Sequence, residues 1–108
     1  MSHYLGALSD SAPAITLEQT RQRAIRAALD ACACGQYASA ACELEASRDA
    51  AVALAAMLAD LDPAAEAHLL HSADQAEVWA REAWEAARAD LAPIVTIQPR
   101  TPAAGIAA

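Results

Sequence analysis

The chain contains no phenylalanine, no lysine and no asparagine, and only three glycines, two tryptophans and two tyrosines in 108 residues. Each absence removes a class of chemistry. Without lysine there is no amine for a Schiff base, and without clustered glycines there is no loop able to cradle a phosphate. A nucleophile elbow, an HExxH pair and a Glu-x-x-His pair of the di-iron kind are missing as well. Cationic charge is scarce: seven arginines face fourteen acidic residues, for a net charge of −7 and a pI near 4.7. Binding to a phosphate backbone needs clustered Lys and Arg. The one basic group, Arg21, Arg23 and Arg26, is diluted by Glu18 and Asp30, so nucleic acid is not an expected partner. No apolar run is long enough to span a bilayer. The first fifteen residues, MSHYLGALSDSAPAI, lack both a basic start and a sustained apolar stretch, so a signal peptide is not expected. Cysteine is limited to three, an odd number with two of them one residue apart. That is a poor disulfide framework and fits a reducing cytoplasm.

What the chain does have is alanine, about a third of all residues. Alanine is the best helix former and loses no side-chain entropy on folding. Such a composition predicts helices that approach closely through small side chains. It also predicts a core poor in buried area, because each alanine removes little surface from water. At this length the chain is one domain. A thin core of this kind gains from association, so oligomerisation or partner binding is expected to complete the fold.

Residues 1–15 read as an irregular lead-in broken by Gly6 and Pro13. Thr16 to Gln19, TLEQ, has the spacing of a capping box. Behind it Leu17, Ala24, Ile25, Ala28, Leu29 and Cys32 recur at helical spacing, which predicts helix 1 over about 17–34. From Tyr37 a heptad pattern begins: Tyr37, Leu44, Ala51 and Leu58 in one position, Ala40, Ser47, Leu54 and Leu61 in the other. Extended backwards, that frame would bury Thr16, Arg23 and Asp30. The two stripes are therefore out of phase, and the chain breaks or bends near Gly35, a natural helix stop. One long bent helix is the competing expectation. Asp62 and Pro63 suit the N-cap and first position of helix 3, and Glu66 sits well near its positive end. That helix carries the stripe Leu69, Ala73, Ala76, Ala80, Ala83 and Ala87 and is expected to stop near Ala92, before Pro93. Residues 93–108 then form an extended, proline-containing tail. The expected fold is all-α: an antiparallel three-helix bundle over residues 16–92, or a bent long helix plus a second helix, with irregular termini.

Four groups of side chains are candidates for function. Cys32, Cys34 and Cys42 could hold a soft metal, copper(I) or zinc, with His68 and His71 completing the ligands. Equally, cysteine serves as a small apolar residue, and the CxC spacing without a second pair is a weak metal signature. His68 and His71, three apart on helix 3, share a face with Gln75 and Trp79. Trp79 and Trp84 are too far apart around the helix to lie on one narrow stripe; Trp84 should cover the core edge, leaving Trp79 to contact a partner. Ile94, Val95 and Ile97 in the tail are apolar and β-branched, suited to docking on a neighbour.

Residues 25–46, IRAALDACACGQYASAACELEA, resemble the cysteine-rich four-helix-bundle copper-binding (copper-storage-like) proteins. The fit lies in Ile25-Arg26-Ala27, Leu29-Asp30 and Ala41-Cys42-Glu43-Leu44-Glu45, and DPAAEAHLLHSADQAEVWA, residues 62–80, is similar to that family's later helices. The resemblance covers about residues 20–85 and implies a helical bundle, assembled between subunits, with copper(I) held by interior cysteines. Where the family carries cysteines this chain has Ala28, Ala31, Gly35 and Ala38. Cys42 alone falls on the pattern.

From the residues themselves, the leading expectation is a cytoplasmic, non-catalytic interaction or assembly protein, with a protein partner or a second copy docking on alanine seams and the C-terminal tail. It needs no cofactor. The alternative is a soft-metal or redox protein using the three cysteines.

Overall fold

A computed structural model describes the backbone of residues 11–100 and the side chains of residues 11–89. Three α-helices account for nearly all of it: α1 Ala12–Ala33, α2 Tyr37–Leu58 and α3 Pro63–Arg100. No strand occurs among the described residues.

α1 begins earlier than the TLEQ box suggests. Ser11 is the N-cap, in extended conformation, and its hydroxyl accepts from the Ala14 backbone N–H at 3.3 Å. Pro13 falls in the first turn, where a missing N–H costs no helical bond. It therefore starts the helix instead of breaking a lead-in, and Thr16 and Gln19 lie inside the helix. At the other end Gly35 takes φ +74°. The Gln36 N–H donates to the Ala31 carbonyl at 2.8 Å and the Gly35 N–H to Cys32 at 3.0 Å. This paired pattern is the Schellman stop, and glycine alone enters it without a Cβ penalty. The chain thus turns fully at Gly35, and the single bent helix is excluded.

The α2–α3 turn follows its sequence signals. Asp62 Oδ1 accepts from the Ala65 N–H at 3.1 Å, Pro63 opens α3, and Glu66 lies in the first turn. Leu61, placed in the seam by heptad extension, is instead 58% exposed, because α2 ends at Leu58 and the turn carries Leu61 outward.

The helices run up, down and up. Ala14 at the start of α1 shares one core cluster with Leu54, Ala55 and Leu58 at the end of α2 and with Ala65, Leu69 and Ala73 at the start of α3. Ala28 and Ala31 share a second with Ala40, Ala41 and Leu44 and with Ala80 and Ala83 of α3. α2 is the middle member: both α1 and α3 lie along it, and they meet each other at few points.

The alanine seam expected on α3 is present, with Leu69, Ala73, Ala76, Ala80 and Ala83 all buried and Ala87 half-buried. On α1 the stripe is shifted. Ala14, Ala24, Ala28 and Ala31 are buried, while Leu29 is 66% exposed and Cys32 is exposed. Close approach to α2 selects the small side chains for the contact line, and the larger ones are displaced to its flanks.

α3 does not stop at Pro93. Its 38 residues continue to Arg100, so the backbone of 94–97 is helical and not extended. Pro93 carries a helix-compatible φ and costs the bond to the carbonyl of Ala89; Ala89 is exposed, so water can take that carbonyl. α2 has only 22 residues. Trp84 is level with Glu45, eight residues into α2, so α3 runs past the start of α2 by roughly 12 Å at 1.5 Å per residue. The molecule is accordingly elongated, 62 × 21 × 17 Å.

Candidate functional site

Helical phase divides α3 into two working sides. Residues five apart are separated by about 140°, so Trp79 and Trp84 flank the alanine seam on opposite sides. Trp84 turns toward α2. It packs against the second core cluster, and its indole N–H donates to Glu45 Oε2 at 2.9 Å. Arg48 of α2 reaches Glu77 at 3.5 Å, and Arg81 pairs with Glu77 at 3.7 Å. Glu45, Arg48, Glu77, Ala80, Arg81 and Trp84 together line a shallow groove of ≈ 210 Å³ between the two helices. Arg48 is held above its ordinary pKa, chiefly by its hydrogen bond to Asp49, and keeps its charge at any working pH. Each charged group lining the groove already has a protein partner, so the groove works as a clasp between α2 and α3. Partly exposed ion pairs of this type contribute at most about 1 kcal/mol each.

Trp79 takes the flank of the seam opposite Trp84 and is 48% exposed. Val78 and Leu70, also on α3, are 40% and 42% exposed. His68, eleven residues before Trp79, lies within about 20° of it in phase. His68 and His71 are both exposed, and Gln75 between them and Trp79 is half-buried. The face anticipated for these four residues is therefore present. Sequence pattern placed Leu70 as a flank of the seam and did not single out Val78, whose signal was available in its being a large apolar residue off the seam.

The thiols take neither expected place. Cys32 in the last turn of α1, Cys34 at its C-cap and Cys42 in the second turn of α2 are all exposed and form no disulfide. They do not act as buried filler; alanines fill the core beside them. Nor are they gathered with His68 and His71: among the described residues no group of three or more His, Cys, Asp or Glu could hold a metal ion. The side chains of Ile94, Val95 and Ile97, and His3, lie outside the described residues.

A buried carboxylate is the feature sequence reasoning missed. Glu18 on α1 is 4% exposed. Its Oε1 accepts from Arg21 Nε at 2.9 Å and its Oε2 from Arg21 Nη2 at 2.9 Å, a forked pair, and Gln22 Nε2 donates to it as well. Three- and four-residue spacing on one helix made the trio legible in principle, but its burial depends on tertiary packing.

No helix among the described residues is long and apolar enough to cross a membrane. No family model matches the chain, and neither do curated proteins or solved structures.

Proposed function

We propose that this is a small non-catalytic interaction module that presents the outer side of α3 to another protein chain. The observation that carries the reading is Trp79, half exposed on the flank of α3 opposite Trp84. Tryptophan is the residue type most enriched at energetic centres of protein contacts. Here it stands beside Val78, 40% exposed, while Leu70, nine residues earlier, lies half a turn round the same helix. The alanine seams supply the rigid support and the long α3 supplies additional surface. Three exposed, unpaired thiols suit the reducing cytoplasm, where we place the protein.

The test is light scattering across concentration on the full chain, on Trp79→Ser and on a chain lacking residues 93–108. Mass should rise above 11.2 kDa with concentration and fall back for both variants, with helical content unchanged by Trp79→Ser. A single-chain mass throughout, and no Trp79-dependent capture of any protein from a lysate, would remove the proposal.

A second function, soft-metal or redox chemistry at Cys32, Cys34 and Cys42 in keeping with the copper-storage resemblance, is favoured by one observation, the exposure of all three thiols. Since one chain offers no group of three ligands among its described residues, a closed site would be shared between chains. Copper(I) or zinc titrated into reduced protein, with Cys42→Ser as control, decides it: absence of stoichiometric uptake excludes this function.

A further inference from the structure

Two of the three junctions between helices are packed and one is open. α2 lies against both α1 and α3, while α1 and α3 meet at few points. Trp84 marks the flank of α3 that faces α2, so Trp79, about 140° round the helix, marks the flank that faces α1. With α1 and α3 parallel, right-handed winding turns Gln22, Ile25 and Leu29 of α1 toward that same flank. Ala28 and Ala80 share a core cluster, which sets their neighbours Leu29 and Trp79 at one level of the bundle. There Leu29 is 66% and Trp79 48% exposed, two large apolar side chains on the two walls of an open groove.

We propose that the chain's own first ten residues lie in this groove and cover Trp79, a role as cover that rests on the interaction-module reading. Composition, point of entry and length all suit this occupant. In MSHYLGALSD, Met1, Tyr4, Leu5 and Leu8 are large and apolar, within a chain that is about a third alanine. The residues at the other end, TPAAGIAA, offer only Ile106. Ser11, the N-cap of α1, precedes Leu29 by eighteen residues, which is five whole turns. The first ten residues therefore join α1 on the flank that carries Leu29. Leu29 and Trp79 stand roughly 25 Å along α1 from Ser11 at 1.5 Å per residue. An extended chain from Ser11 back to Tyr4 spans roughly 23–25 Å, which brings the tyrosine beside them. Leu8, four residues from Tyr4, points the same way in an extended run. Attachment at Ser11 holds the segment at a local concentration on the order of mM, so a partner that reads Trp79 has to displace it.

The test uses the full chain with Cys32, Cys34 and Cys42 changed to Ser. Ala7→Cys is combined either with Gln75→Cys on the groove flank of α3 or with Val52→Cys, exposed on α2, and treated with a short bismaleimide. A segment held only at Ser11 reaches both positions, whereas a docked one reaches Gln75. The first pair should close within one chain and the second should not. Separately, Trp84→Phe leaves Trp79 as the only tryptophan. Adding Tyr4→Ser and Leu8→Ser should then shift its emission to the red, raise its quenching by acrylamide and increase association in light scattering. Equal closure of both pairs, or Trp79 emission unmoved by the two serines, would overturn the docked segment and leave the interaction module standing. Cross-links between chains in place of those within one would overturn it in favour of a second copy. Selective closure and a red-shifted Trp79 without association at any concentration would uphold the docked segment and overturn the interaction module.

Discussion

Trp84 and Trp79 show how a difference of five positions decides a residue's work. Trp84 is tied to α2 by its indole N–H and by its ring, and the two contributions are separable. Trp84→Phe keeps a large ring beside the second core cluster and removes the donor to Glu45, so it should cost about 1 kcal/mol, seen as a lower urea midpoint. Trp79 is half exposed, and its replacement by Ser gives up the covered half of the ring and its contact with a second chain, so the fall in midpoint should grow with protein concentration. The thiols provide a second check at this scale. Because Cys32, Cys34 and Cys42 are all exposed, all three should react with Ellman's reagent in the native, reduced protein. Three thiols titrating only after urea is added would contradict the structure. Their exposure could not be read from residue type, since free cysteine is among the most readily buried side chains. Here the positions facing neighbouring helices are held by the smaller alanine.

Among the elements, α2 and α3 were the most legible and α1 the least. The heptads from Tyr37 and the Leu69 to Ala83 stripe had one consistent phase, and the structure buries them from Ala40 to Leu58 and from Leu69 to Ala83, leaving Tyr37 half-buried and Leu61 exposed. α1 offered two phases, one marked by alanines and one by Leu29 and Cys32. Side-chain size alone favoured the second, whereas the tight approach to α2 favours the first. The start of α1 was obscured by Pro13, which signals a break inside a helix and a beginning at its first turn. The end of α3 was obscured in the same way by Pro93. The candidate face on α3 was legible as far as Trp79, because it sits off the seam, while the buried Glu18 pair depended on packing that no local pattern encodes. Gly35 gives the sharpest test of an element boundary. No atom lies within 4 Å of where its Cβ would stand, so Gly35→Ala meets no clash and carries only the cost of a left-handed backbone. That cost is about 1 kcal/mol, and Gly35→Asn should lose less. Unchanged stability in Gly35→Ala would mean that α1 does not close with this turn.

For the molecule as a whole, the large side chains that are fully buried are Leu54, Leu58 and Leu69, and the remaining core is almost entirely alanine. Hydration of newly exposed apolar surface dominates the heat capacity of unfolding, typically ~12–15 cal/mol/K per residue. A core of methyl groups uncovers less, and the increment should fall below that range in calorimetry. The same shortage of uncovered surface should give a low urea m-value for a domain of this length. A shallow stability curve follows, with weak curvature on the cold side, so the fold should change little in stability between refrigeration and body temperature and then melt over a broad interval.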